Sequence, residues 1–259
     1  MFDIFKIGLC NRFFPNSTPH VIVGFFVVFA LGYLLGSLNF GVILSKLLFR
    51  GDVREHGSGN AGTTNMLRTY GKLPAALTLL GDAAKTAAAV LVGALILGAH
   101  NNTFFVQGET IYSNIDALLR AGIQPGDATP YMGYSGMYVG GLAAIVGHAF
   151  PVFYKFKGGK GVIATFVTVL FTSPLVALVC LMFFVAVVAA TKFVSLASIM
   201  SVIVYPLVLY RLDGLGLFNL IAIFIMLFVV FLHRANILKL MNGKESKISF
   251  KKKEEKKEE

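Results

Sequence analysis

The chain has 259 residues, 56% of them hydrophobic and only 14% charged, against about 45–50% apolar and about 25% charged in an ordinary soluble domain. A water-soluble globule is excluded, and once the apolar runs are subtracted no block remains that could bury a core of its own. The net charge of +10 admits nucleic acid, anionic lipid or an anionic substrate as partner, so the positions of the cations decide between them.

In chain order, residues 1–20 hold Asp3, Lys6, Arg12, Pro15 and Pro19 without a clean apolar stretch or a small-residue cleavage site. They read as an external N-terminal extension instead of a removable signal peptide. The 25 uncharged residues from Val21 to Ser45 predict a first span at 21–46. Further spans follow at 75–99 and 136–153. The 31-residue uncharged run from Gly161 to Thr191 is too long for one crossing and short for two. Thr172, Ser173 and Pro174 break it, which predicts a tight hairpin of spans 161–173 and 175–191. Two 18-residue runs, Phe193 to Tyr210 and Leu215 to Leu232, give spans 195–211 and 215–233. The expected fold is an all-α polytopic membrane protein with seven transmembrane helices in residues 21–243. Cys10 and Cys180 sit in no metal or redox spacing.

Seven crossings put the termini on opposite sides. One side collects seventeen Lys and Arg, including Arg50, Arg54, Arg68, Lys72, Lys155, Lys157, Lys160 and Lys192, and the other only Lys6, Arg12, Arg120 and Arg211. The positive-inside rule then places the C-terminus in the cytoplasm and the N-terminus outside. Residues from about 100 to 135 become an external loop, and 244–259, ending in KKKEEKKEE, a charged cytoplasmic tail.

Three cytoplasmic segments are richer than a connector requires. In HGSGNAGTTNMLR, residues 56–68, Gly57, Gly59 and Gly62 alternate with Ser58, Asn60, Thr63, Thr64 and Asn65. Glycines let the backbone approach an anion, hydroxyls and amides donate, and Arg68 can hold a phosphate with two bonds. A plain glycine-rich turn remains the alternative. In GHAFPVFYKFKGGKGVIATF, residues 147–166, Lys155, Lys157 and Lys160 surround Gly158, Gly159 and Gly161 just before an apolar helix whose free N–H groups favour an anion. It is not a nucleotide-binding Walker loop, because Gly161 and Val162 follow Lys160. In LHRANILKLMNGKE, residues 232–245, His233 and Asn236 are three apart and share a helical face, with Arg234 and Lys239 nearby. A weaker segment, TKFVSLAS at 191–198, offers Lys192, Ser195 and Ser198. Asp82 and Lys85 are spaced for a structural salt bridge within a helix. All the polar segments open on one face, where cations and glycines suit two negatively charged head groups and the helices beneath suit a fatty chain.

GSGNAGTTN with Arg68, GHAFP with FKGGKGV, TKFVSLAS, and HRANI followed by Gly243 and Glu245 together resemble the bacterial acyl-phosphate:glycerol-3-phosphate acyltransferase family, over about residues 35–247. The resemblance implies a seven-span enzyme of the bacterial inner membrane, working at the cytoplasmic face in the first step of phospholipid synthesis. It implies transfer of a fatty acyl group from acyl phosphate to the 1-hydroxyl of sn-glycerol 3-phosphate, without cofactor, nucleotide or nucleic acid. It assigns catalysis to Ser58, Arg68, His233 and Asn236. Substrate binding falls to Gly57, Gly59, Asn60, Asn65, Lys157, Gly158, Gly159, Lys160, Gly161, Ser195 and Ser198, and Glu245 is structural. Between Lys157 and Lys160, and between Ser195 and Ser198, the principal contact stays open.

Acyl phosphate is an activated mixed anhydride, so such an enzyme has to position a hydroxyl, neutralise phosphate and stabilise an oxyanion. His20, His56, His100, His148 and His233 form no metal-ligand pair, and none has Asp five positions later. The rival reading is a transporter for phosphorylated solutes, which favours sites near the bilayer midplane and repeated halves.

Overall fold

The computed structural model describes residues 8–13, 18–98, 103–107, 110–112, 119–124, 129–132, 136–213 and 217–248. The KKKEEKKEE end of the expected tail lies outside them, as do parts of the 1–20 extension and of the 100–135 loop. The body is helical. A short helix α1 (Leu9–Phe13) precedes α2 (Thr18–Gly36) and α3 (Phe40–Phe49), and α4 (Thr63–Tyr70) leads into the long α5 (Lys72–Leu97). After the loop come α6 (Gly136–Ala149), α7 (Val162–Thr172), α8 (Pro174–Thr191), α9 (Val194–Asp213), α10 (Leu217–Leu232) and α11 (Arg234–Met241).

Five segments are long and apolar enough to cross a bilayer: Pro19–Phe49, α5, Gly136–Tyr154, α8 and Val194–Leu212. The pair α10 and α11, bent by 59°, makes a sixth if taken as one span. The hairpin expected at 161–191 is present as α7 and α8, broken at Ser173 with Pro174 opening α8. At 11 residues, α7 is roughly 16 Å long, well short of the roughly 30 Å hydrocarbon layer. The first span differs from the uninterrupted helix expected at 21–46, because residues 37–39 interrupt it. The carbonyl of Leu38 there accepts a hydrogen bond from Lys85 Nζ at 2.7 Å, so a side chain takes a backbone acceptor at the interruption. The expected loop also carries structure that its composition did not announce. Strands β1 (Thr103–Gln107), β2 (Thr110–Tyr112) and β3 (Thr129–Met132) pair antiparallel in the order β2-β1-β3, with Val106 opposite both Ile111 and Thr129.

Helices α2, α5 and α6 pack on one another through small residues. A Cβ on Gly93 or Gly136 would lie 1.9 Å from the other's carbonyl oxygen, and one on Gly147 would lie 2.2 Å from that of Tyr33. Backbones this close give dense packing in lipid, where burial of apolar surface supplies little drive. The second half holds an apolar core that includes Ile145, Val169, Val202, Tyr205, Leu209, Ile225 and Val229. Phe26, Leu80, Leu175, Leu217 and Leu227 face outward, as suits a lipid-facing surface. The two packed halves fix the bundle end from which the polar segments emerge.

Candidate active site

The first loop leaves α3 at Arg50 and is held from within by one side chain. Asn65, buried in the first turn of α4, donates through Nδ2 to the carbonyls of Val53 (2.9 Å), His56 (3.0 Å) and Asn60 (2.8 Å), and its Oδ1 accepts from the Ser58 amide at 2.8 Å. Gly57 (φ +58°) must be glycine, since a Cβ would stand 2.3 Å from Asn65 Oδ1. Gly59 also takes positive φ, at +73°, and Asn60 Oδ1 accepts from the Gly62 amide at 2.9 Å. Asn60 and Asn65, predicted as substrate contacts, thus spend these groups on the loop itself. Ser58 and Arg68 are exposed.

The second loop rests on the end of α6. Gly158 and Gly159 donate their amides to the carbonyls of Ala149 (3.1 Å) and His148 (2.9 Å). Gly161, at φ +77°, turns the chain into α7. Lys157 is exposed, whereas Lys160 turns inward and donates to Asn236 Oδ1. Asn236 Nδ2 and Ser195 Oγ both donate to Glu245 Oε1, at 2.9 and 2.8 Å. Second loop, start of α9, α11 and the segment after it are therefore one hydrogen-bonded network. Ser198 instead returns its hydroxyl to the Val194 carbonyl at 2.9 Å. Between the paired alternatives left open by the sequence, Lys160 and Ser195 join this network.

His233 occupies the bend between α10 and α11 and is 2% exposed. Its Nδ1 lies 2.8 Å from the Val229 carbonyl. A carbonyl can only accept, so Nδ1 carries the proton and Nε2 is the acceptor nitrogen of the neutral ring. Burial lowers the Lys160 ammonium to about 8; Glu245 opposes the shift, while Lys239 and Arg68 add to it. Arg68 thereby acts on the same charge although it lies on α4.

Two residues escaped the sequence reading as parts of the site. Arg54, counted there only as a topological charge, grips Asp52 with Nε at 2.9 Å and Nη2 at 2.7 Å, and donates Nη1 to the carbonyls of Tyr154 (2.9 Å) and Lys157 (2.8 Å). It clamps the first loop to the second, and its hydrogen bonds hold the Asp52 carboxyl below its ordinary range. His148 supports the second loop from below. The expected Asp82–Lys85 ion pair is present at 2.7 Å and buried. Among the described residues no group of three or more His, Cys, Asp or Glu stands where it could hold a metal ion.

The family model described as glycerol-3-phosphate acyltransferase matches residues 26–243. This chain belongs to the glycerol-3-phosphate acyltransferase family. It is 35% identical to the glycerol-3-phosphate acyltransferase of Clostridioides difficile (strain 630), covering 89% of this chain and 98% of that protein. Against the enzyme of the same name from Neisseria meningitidis serogroup A it is 39% identical, over 86% of this chain and 96% of the other. Its fold is similar to the crystal structure of PlsY, an integral membrane glycerol 3-phosphate acyltransferase, in its glycerol 3-phosphate form. That match has TM-score 0.67 and 29% identity, over 87% of this chain and 96% of PlsY. The lysophosphatidic acid form of PlsY matches at TM-score 0.64 and 28% identity. Within the acyltransferase family, then, this chain is an integral membrane member whose polar loops gather at one end of its helices.

Proposed function

We propose that this chain transfers a fatty acyl group from acyl phosphate to the 1-hydroxyl of sn-glycerol 3-phosphate, giving 1-acyl-sn-glycerol 3-phosphate and inorganic phosphate. The observation that carries the reading is the meeting of Lys160, from a glycine loop, with Asn236 and Glu245 from the far end of the chain, in a member of the glycerol-3-phosphate acyltransferase family. A desolvated cation beside amide and hydroxyl donors suits a phosphate dianion. Lys160 and Arg68 hold phosphate, Ser58 and Asn236 orient the substrate or donate to the developing oxyanion, and His233 binds phosphate or relays the hydroxyl proton. The hydroxyl attacks the acyl carbonyl directly, and phosphate leaves without an acyl-enzyme. Gly57, Gly59, Gly158, Gly159 and Gly161 keep the backbone close to the anions. Substrate phosphate displaces Asn236 as the partner of Lys160.

The proposed setting is the bacterial inner membrane, crossed seven times by residues 21–243, with the N-terminus outside and the active site at the cytoplasmic face. α2 and α3 together make one crossing, followed by α5, α6, α7, α8, α9 and α10, with the short α7 crossing where the bilayer thins to match it. The cross-loop bonds of Arg54 and the contact of Ile248 N–H with the Lys192 carbonyl at 2.9 Å support a common side for the polar segments. The 244–259 tail begins by lending Glu245 to the site.

Purified protein given acyl phosphate and glycerol 3-phosphate, without coenzyme A, is expected to form lysophosphatidate and release phosphate in equal amounts. No lysophosphatidate under these conditions, or its formation only from acyl-coenzyme A, overturns the assignment. Entry of glycerol 3-phosphate into vesicles without acylation would favour the carrier reading.

A further inference from the structure

Three buried ionisable groups lie beneath the site, and one of them, His148, packs directly against its second loop. Asp82 and Lys85 on α5 and His148 on α6 are 2%, 4% and 4% exposed. The Lys85 ammonium donates to the Leu38 carbonyl at 2.7 Å, is ion-paired with Asp82 Oδ1 at 2.7 Å and lies 3.0 Å from His148 Nδ1. His148 Nδ1 also lies 3.7 Å from Asp82 Oδ1, so this edge of the ring faces the ion pair and Nε2 lies on the opposite edge. That edge of the ring faces the second loop. A Cβ on Gly159 would lie 2.0 Å from His148 Nε2, and its three nearest atoms would all belong to this ring. The His148 carbonyl also accepts the Gly159 amide, and Lys160 is the next residue. On the other side of Lys85, the Leu38 carbonyl belongs to the break before α3. There Gly41 packs so closely under the first loop that a Cβ would come 1.9 Å from the Ala61 carbonyl oxygen.

We propose that the Asp82–Lys85–His148 cluster is a positioning device: the His148 ring sets the height of Gly159, and through it of Lys160, while Lys85 ties that ring to the break that supports the first loop. Stability alone is a poor reason for such a cluster, since apolar replacements of a buried ion pair are often neutral or stabilising. A charge held by three elements at fixed distances instead defines where those elements sit. Gly159 has to lack a side chain because the ring fills its place, and its φ lies outside the left-handed region, so an alanine there is opposed by the ring and not by the backbone.

The inference rests on the acyl-transfer reading, and wild-type turnover tests that reading separately. Gly159→Ala is expected to raise KM for glycerol 3-phosphate at least tenfold, with a smaller effect on KM for acyl phosphate. Adding His148→Asn keeps an acceptor near the Nδ1 position for Lys85 and vacates the space of the ring, so the double variant should recover most of the loss. Asp82→Asn combined with Lys85→Met, which removes both charges at similar size, should keep thermal stability within a few degrees yet weaken glycerol 3-phosphate binding tenfold by calorimetry. The calorimetric arm is independent of turnover, and the Gly159 series carries the test if the charge-free pair does not fold. An unchanged affinity in the charge-free variant, or no recovery when His148→Asn is added to Gly159→Ala, overturns the proposal even where the wild-type enzyme is active.

Discussion

Lys160, the proposed phosphate ligand, also makes the site sensitive to pH. Burial and the neighbouring Arg68 and Lys239 bring its ammonium to about 8, so in the free enzyme it loses its charge as pH rises through that value. The expected result is kcat/KM for glycerol 3-phosphate falling on the alkaline side with a midpoint near 8, and the limb disappearing in Lys160→Met along with roughly 10²-fold of activity. The sign for stability is opposite. Unfolded lysine keeps its proton to about 10.4, so between 8 and that value the unfolded chain binds more protons, and this group favours the folded state increasingly with pH. Activity lost together with a falling melting temperature over the same interval would point to unfolding instead of titration of Lys160. Residue chemistry was partly legible beforehand. Cations and glycines announce an anion site by type, but whether Asn65 faces substrate or its own loop depends on the bonds to Val53, His56 and Asn60, which spacing does not reveal.

Among the elements, the join between the two glycine loops depends on the planar fork of Arg54, which satisfies Asp52 and two carbonyls at once. Lysine keeps the charge and loses the fork. Arg54→Lys should therefore lower kcat/KM on the order of tenfold, with protein yield and topology unchanged. Full activity in that variant would show that the loops hold their places without the clamp. The 172–174 break was readable because Pro174 cannot continue a helix. The interruption at residues 37–39 was not, because its acceptor Leu38 is claimed by Lys85, a partner 47 positions away. The small sheet at 103–132 was equally hidden, since alternation over three to five residues is too short to separate a strand from a polar loop.

For the whole molecule, hydropathy was enough to find the long helices, because the bilayer penalises every misplaced polar group. Length did not settle the number of crossings: α7 is short and α10 bends into α11. Cysteines introduced singly at residues 59, 157 and 244 in a chain lacking Cys10 and Cys180 should all be labelled from the cytoplasmic side by an impermeant reagent. A position at residue 121 should be labelled from outside. Labelling of 59 and 157 from opposite sides would abolish the shared chamber and the acyl-transfer geometry with it.

The Glu245 carboxylate, which joins Ser195 to Asn236, has a temporal corollary. During synthesis both glycine loops leave the ribosome before the residues that complete their partner network exist. A chain made only as far as Leu232, 232 of its 259 residues, has no Asn236 to receive Lys160 and no Glu245 to receive Asn236 and Ser195. On the proposed mechanism activity is acquired only with these last residues, so fragments left by stalled ribosomes would occupy lipid without consuming its precursors.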